Sequence, residues 1–131
     1  MSLITNLKFG ELTNLSDARF ADGSQANFLG FSLDPDSENY IEHDDLNEIL
    51  GWIEGVGLVG EFGKQDFEEI RDAIQQYKLD YVQLNETEHF FSLSKLKAQI
   101  IQNLDLATFR DREELEYFIE DSYQNITYYM F

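Results

Sequence analysis

Short apolar runs alternate along this sequence with longer stretches whose apolar residues recur at helical spacing. The runs occupy residues 4–9, 27–32, 56–62, 79–84, 99–104 and 126–131, and helical patterns fall between them near 15–23, 42–53, 65–77, 91–96 and 111–122. Because neighbouring parallel strands need a crossover connection, this alternation is typical of repeated βα units. It predicts one α/β domain over residues 1–131, with about six parallel strands and five helices. Trp52 falls at the end of the second helical pattern and is expected in the core.

The chain is strongly acidic and contains no cysteine. It has 26 Asp and Glu against 9 Lys and Arg, a formal net charge of −17. This charge would repel the phosphates of nucleic acids and of anionic membranes, so neither is expected as a partner. No apolar run approaches the roughly 20 residues that span a bilayer, and the first residues lack the layout of a signal peptide, which favours a cytoplasmic protein. Without cysteine no disulfide or thiolate is available, and the scattered glycines match no dinucleotide fingerprint, so no cofactor is expected.

Polar and mostly acidic residues follow the predicted strands. Ligands of parallel α/β folds bind at the carboxyl ends of the strands, and those positions hold Gly10, Glu11, Asp34, Asp36, Glu61, Asn85, Glu86 and Asp105. Of these, Asp34, Asn85 and Asp105 are candidate ligand-binding residues. Clustered carboxylates can attract a cation, a metal or an amine, although a chain with this many acids places some on every face. No spacing matches a known metal-binding loop, so no metal ligands are assigned.

Several stretches have a recognisable order and spacing. Residues 8–18 read KFGELTNLSDA and residues 23–31 read GSQANFLGF. Together with the segments 35–41, 59–62 and 80–84, they resemble the phosphoribosylanthranilate isomerase family of tryptophan biosynthesis, whose members are (β/α)8 barrels. The resemblance is good over residues 8–86 and weaker beyond. It implies an incomplete TIM-barrel-like sheet, open or half-barrel-like.

The same resemblance implies that catalytic groups are lost. The family isomerises an aminoaldose to an aminoketose with a cysteine as general base at the end of the first strand, where this chain has Gly10. Asn39 stands in place of an arginine that holds the substrate's carboxylate, and Asn85 in place of a histidine. The general acid would stand at the end of the sixth strand, at or just after the position of Phe131, and the phosphate-binding loops would follow strands seven and eight. The expectation is therefore a catalytically degenerate protein that acts as a binding or interaction module.

Two alternatives remain open at this point. The chain could be an isomerase in which carboxylates replace the cysteine, with Glu11 as base and Glu61 or Asp36 as acid. It could instead bind a cation on its acidic strand ends. The small-molecule ligand is not defined by the sequence in either case.

The end of the chain is rich in aromatic residues, and this bears on assembly. The aromatic residues in this part of the sequence include Tyr117, Phe118, Tyr123 and those of the run 128–131. Six strands of an eight-stranded design would leave one edge of the first strand and one edge of the sixth strand unpaired, and unpaired edges recruit other strands. A homo-oligomer, formed through open sheet edges and the aromatic C-terminal strand, is expected.

Overall fold

Six strands lie side by side in the computed structural model, which describes residues 7–84, 97–103, 107, 110–122 and 128–130. The strands are β1 (Lys8–Phe9), β2 (Phe28–Ser32), β3 (Gly57–Glu61), β4 (Tyr81–Leu84), β5 (Gln99–Asn103) and β6 (Tyr128–Met130). The helices are α1 (Leu15–Gly23), α2 (His43–Leu50), α3 (Phe67–Tyr77) and α4 (Arg112–Ser122). The helix predicted near residues 91–96 lies outside the described residues.

All five strand pairings are parallel, and the strand order is β1-β2-β3-β4-β5-β6. A sheet whose parallel strands follow one another in sequence order has every crossover in the same direction, as in a TIM barrel. Within the described part of the chain no pairing joins β6 back to β1. The predicted half-barrel arrangement of parallel strands is confirmed.

Local signals set the helix ends. Asn14 precedes α1 and its side chain accepts a hydrogen bond from the Asp17 N–H at 2.8 Å. Asp66 precedes α3 and accepts from the Glu69 N–H at 2.8 Å, while the Glu69 carboxylate accepts from the Asp66 N–H at 3.0 Å. This reciprocal capping box satisfies backbone donors that have no partner within the helix. Lys78 ends α3 in the left-handed conformation, with φ of 54°.

The expectation that Trp52 is buried is wrong. Helix α2 ends at Leu50, two residues before Trp52, and the indole is 62 % exposed. The guanidinium of Arg19 lies 5.5 Å from the centre of its ring system. The apolar face of α2 is carried by Leu46 and Ile49, which are buried against α1 and β2.

The two faces of the sheet are packed differently because successive strand residues point to opposite sides. Most of the apolar core lies between the sheet and the helices and includes Leu29, Phe31, Val82, Leu84, Ile70 and Ile74. On the other, concave side a smaller cluster contains Phe28, Val59 and Ile101, with the ring of Tyr81 edge-on to that of Phe28 at 4.9 Å.

The concave side becomes polar toward the carboxyl ends of the strands. Ser32 pairs in register with Glu61, and Glu61 pairs with Gln83. Residues in register across parallel strands point to the same side of the sheet, so these three side chains form one polar row beyond the apolar cluster. This row is where ligands bind in folds of this kind.

No helix in the described residues is long and apolar enough to cross a membrane.

Candidate functional site

Glu61, the last residue of β3, is at the centre of the polar row. Its Oε2 accepts a hydrogen bond from Lys8 Nζ at 2.6 Å, and its Oε1 accepts one from the backbone N–H of Glu11 at 2.8 Å. The side chains of Lys8 and Glu61 are each only 12 % exposed. A largely buried carboxylate with a cationic partner is held in a single position.

Two glycines make room for this carboxylate. A Cβ atom on Gly10 would lie 2.7 Å from Glu61 Oε2, and one on Gly30 would lie 2.9 Å from the same oxygen. Both distances are shorter than van der Waals contact. The side chain of Glu61 therefore crosses from β3 to the end of β1 and occupies the space that a side chain at position 10 would fill.

Glu11 turns the chain at the end of β1. Its φ is +52°, which is uncommon for a residue with a side chain and costs about 1–2 kcal/mol. In this conformation its N–H reaches Glu61, and its own Oε2 accepts a hydrogen bond from Asn39 Nδ2 at 3.0 Å. The strained backbone thus joins Glu61, Glu11 and Asn39 into one connected group.

A cavity of about 110 Å³ opens beside this group. Its lining residues are Glu11, Ser32, Asp34, Ser37, Glu61, Phe62, Gln83 and Asn103. Asp34 Oδ1 accepts hydrogen bonds from Gln65 Nε2 and from the Asp36 N–H, both at 3.1 Å. Three carboxylates thus line the cavity, and no Lys, Arg or His is among its described lining residues.

Gln83 is a buried polar side chain of the cavity wall. It is 7 % exposed, and its Oε1 has no hydrogen-bond partner. An unpaired buried polar atom is costly, and buried polar atoms in folded proteins are almost always bonded. The amide therefore offers a vacant acceptor to whatever enters the cavity.

The structure brings together most of the residues that the sequence proposed. Gly10, Glu11, Asp34, Asn39 and Glu61 all lie within or next to the cavity. Asp36 does not line it, and its side chain lies in an exposed turn. The candidates Asn85 and Asp105 are outside the described residues.

The sequence analysis missed Lys8 and Gln83. Lys8 is the one basic residue in the first apolar run, and a charged residue in a strand covered on both faces needs a buried partner. Gln83 interrupts the apolar run 79–84 in the same way. Each exception to the apolar pattern is a signal that could have marked the site.

The described residues contain no group of three or more His, Cys, Asp or Glu arranged to hold a metal ion. Asp34 bonds to donors of the protein itself, and Glu61 bonds to Lys8.

A second cleft, of about 350 Å³, lies beside α3 on the helix side of the sheet. The hydroxyl of Tyr77 lies 2.8 Å from His43 Nδ1 at its edge. Burial raises the pKa of Tyr77 above its ordinary value of 10.0, and the nearby charges of Tyr40 and Asp44 raise it further. Among the described lining residues, this cleft shares only Phe62 with the strand-end cavity.

Comparison with known proteins gives a family. The family model for N-(5'-phosphoribosyl)anthranilate isomerase matches residues 7–131. The chain belongs to the phosphoribosylanthranilate isomerase family. A curated isomerase of this name from Thermotoga maritima is 31 % identical over 113 residues, which cover 84 % of this chain and 55 % of that protein. Another from Syntrophus aciditrophicus is 33 % identical over 87 residues, covering 66 % of this chain and 38 % of that protein.

The fold agrees with the family assignment. The crystal structure of the Thermotoga maritima phosphoribosylanthranilate isomerase superposes with a TM-score of 0.81 at 25 % identity, over 98 % of this chain and 63 % of that one. The chain spans about half the length of the curated relatives it matches.

The family match corrects the expectation of a catalytically degenerate binding module, which is wrong. The family model and the curated relatives that match this chain are those of phosphoribosylanthranilate isomerases. The expectation assumed that Gly10 leaves an open space at the end of β1, whereas the Glu61 carboxylate occupies that space. The expected loss of the general acid and phosphate loops rested on the end of the sequence, which carries no information about catalysis.

Proposed function

We propose that this chain takes part in the isomerisation of phosphoribosylanthranilate, an aminoaldose, to the corresponding aminoketose, with carboxylates in place of the family's cysteine. The observation that supports the proposal is the position of the Glu61 carboxylate, 2.7 Å from where a Cβ on Gly10 would lie. In the family that space belongs to the general base. A carboxylate delivered from β3 can accept a proton there as a thiolate on β1 would.

The reaction moves hydrogen within the substrate. An acid donates a proton to the ring oxygen as its bond to C1 breaks, and a base removes the proton from C2. The resulting enol then becomes the C2 ketone as C1 gains a proton, so atoms and electrons balance without a cofactor. Each step needs a proton donor or acceptor within hydrogen-bond reach of the sugar.

In this proposal Glu61 is the base and Glu11 the acid, which reverses the roles that the sequence analysis gave to these two residues. Both oxygens of Glu61 accept hydrogen bonds, from Lys8 and from the Glu11 N–H, and these hold the carboxylate over Gly10. Among the described residues the Glu11 carboxyl group accepts one side-chain hydrogen bond, from Asn39 Nδ2 to Oε2, and the proposal assigns proton donation to its Oε1.

The test follows the loss of phosphoribosylanthranilate fluorescence on addition of protein purified from a host whose own isomerase gene is deleted. We expect turnover by the unaltered protein. The Glu61→Gln variant should lose roughly 100-fold or more in kcat, the range typical for removal of a general base. The matched control is Glu48→Gln, at an exposed position on α2 outside the cavity, which should retain full activity.

Two outcomes would contradict this proposal at different points. No turnover by the unaltered protein over hours overturns the isomerase function. Full activity of Glu61→Gln overturns the assignment of the base while leaving the function in place.

The proposed location of the reaction is the cytoplasm, since a phosphorylated sugar carries charge that does not cross a bilayer unaided.

We also propose that the chain self-associates. β1 and β6 lie at the two edges of the sheet and have one strand neighbour each in the described residues. Exposed edges present unpaired backbone donors and acceptors that pair readily with another chain. Light scattering over a range of protein concentrations should give the mass of a dimer, and a monomer mass at the highest concentration would contradict the proposal.

A further inference from the structure

The cleft beside α3 has the size of a small-molecule pocket and lies apart from the strand-end cavity. Its volume of about 350 Å³ is within the range of known ligand pockets. Residues of the connection between β2 and α2, among them Pro35 and Tyr40, line it together with residues of α3. Among the described lining residues the cleft and the cavity share no carboxylate, so what the cleft binds is independent of the proposed isomerase reaction.

The deep part of this cleft is apolar. Ile41 and Phe62 are buried in it, and Leu33 is half-buried. Two aromatic rings line the cleft as well: Tyr40 is 40 % exposed, and Tyr77 is half-buried. Covering such a surface is favourable for a ligand with an apolar body, because apolar area is then removed from water.

The outer part of the cleft carries negative charge. Glu69, Asp72 and Gln76 are exposed and follow one another on α3 at spacings of three and four residues, which place them on one face of the helix. No Lys, Arg or His is among the described lining residues. Acidic residues are common on a chain with a net charge of −17, and these two differ from most in bordering an apolar floor with tyrosine rings.

The contacts of these two carboxylates leave their charge available. Among the described residues the Glu69 carboxylate accepts one hydrogen bond, from the Asp66 N–H to Oε2 at 3.0 Å, and this neutral donor does not cancel its charge. Asp72 Oδ1 lies 3.5 Å from a guanidinium nitrogen of Arg71, in an exposed pair of a kind that contributes little. A cation that enters the cleft therefore meets two carboxylates without a strong competing partner.

We infer that the cleft beside α3 binds an organic cation with an apolar body, of the class of the protonated arylalkylamines. The ammonium group would lie beside Glu69 and Asp72, and the ring would cover the apolar floor. The faces of tyrosine rings attract cations in addition to the carboxylates. The substrate of the proposed isomerase reaction is phosphorylated and anionic, so the charge of this cleft repels it.

Three ligands of similar shape test this inference. 2-Phenylethylamine carries an ammonium group, 2-phenylethanol replaces it with a neutral hydroxyl, and 3-phenylpropanoate carries a carboxylate. Each is titrated into the unaltered protein at neutral pH and physiological salt, and binding is followed by the backbone amide shifts in the NMR spectrum. We expect saturable shifts in α3 and in the connection between β2 and α2, with a Kd for the amine about tenfold lower than for the alcohol. The carboxylate should not bind.

Two double variants separate the cleft from the general attraction of cations to an acidic chain. Glu69→Gln with Asp72→Asn removes both charges of the cleft, while glutamine at position 69 can still accept the Asp66 N–H. The affinity for the amine should fall about tenfold and that for the alcohol should stay unchanged. The matched control, Glu48→Gln with Glu68→Gln, removes two charges from exposed positions outside the described lining and should leave both affinities unchanged. Circular dichroism establishes that each variant is folded.

Each other outcome overturns the inference at a defined point. Equal affinities of the unaltered protein for amine and alcohol refute the preference for a cation. An equal loss of amine affinity in the two double variants refutes the location, since it reflects only the net charge of the chain. Absence of saturable amine binding at millimolar concentrations refutes the site altogether. The comparison of ligands on the unaltered protein decides the preference even where a variant fails to fold, and none of these results bears on the isomerase function.

Discussion

Replacing Gly10 with alanine should destabilise the protein only while Glu61 is present. The new Cβ would lie 2.7 Å from Glu61 Oε2 and 3.0 Å from Lys8 Nζ, so the end of the glutamate must move. The flexible side chain can rotate, but rotation weakens a charged hydrogen bond in a pair that is 12 % exposed on each side. The backbone of Gly10 is outside the left-handed region, so alanine itself introduces no strain.

The magnitude follows from two opposing effects. Loss of a hydrogen bond to a charged group destabilises by about 1.5–3 kcal/mol. Replacement of glycine by alanine at a compatible position stabilises by about 0.4–1 kcal/mol through the unfolded state. The net expectation for Gly10→Ala is a loss of about 1–2 kcal/mol in the free energy of unfolding. In a Glu61→Ala background the same change should be neutral or slightly stabilising.

The assay is a double-mutant cycle of urea unfolding followed by circular dichroism. The coupling energy between positions 10 and 61 should be about 1.5–3 kcal/mol, well above the few tenths expected of independent sites. Gly23→Ala is the matched control, because a Cβ there has nothing within 4 Å. If Gly10→Ala has the same effect with and without Glu61, the carboxylate does not occupy the space over Gly10 and the base assignment loses its support.

Three further measurements test other parts of the structure. Lys8→Met leaves a carboxylate of low exposure without its cationic partner and should lower the free energy of unfolding by about 3–5 kcal/mol in urea denaturation, whereas Arg112→Met removes an exposed pair worth about 0.3–0.5 kcal/mol. Asp66→Ala removes half of the capping box of α3 and should cost about 1 kcal/mol, visible as a lower urea midpoint; an unchanged midpoint would show that the box contributes nothing. The raised pKa of Tyr77 means that the unfolded chain loses this proton first, so stability is fully present below pH 10 and falls as pH rises through the higher folded value. The difference between the urea midpoints at pH 9 and pH 11 should therefore be smaller in Tyr77→Phe than in the unaltered protein. An equal difference in the two proteins would contradict the assignment of this pH dependence to Tyr77.

The fold could be predicted from the sequence because its signals are local. Strand and helix periods are set by residues within one segment, and the family blocks fix their order. The prediction failed where the apolar spacing continues beyond the end of the helix. The apolar spacing of the second helix continues to Ile53, yet the helix ends at Leu50, next to Gly51, so Trp52 is exposed rather than buried.

The site was only partly predictable because its defining contact joins distant segments. Glu61 and Gly10 are 51 positions apart in the chain, and no periodicity relates them. Considered separately in the sequence, Gly10 indicates that the family's general base is lost, and Glu61 is one of several acidic residues at the end of a predicted strand. Only the parallel pairing of β1 with β2 and of β2 with β3 brings Glu61 over the two glycines.

The glycines, Glu61 and Lys8 have to be considered as one unit. A glycine in or beside a strand has no side chain to pack and weakens the sheet, so two of them side by side need a compensating group. The Glu61 side chain supplies that group by covering both, and Lys8 then compensates the charge that this brings into a largely buried place. If any one of the four were changed alone, the others would be left with a clash, a void or an unpaired charge. The base that we propose therefore lies on β3, and the space that its carboxylate occupies is the space over Gly10 at the end of β1.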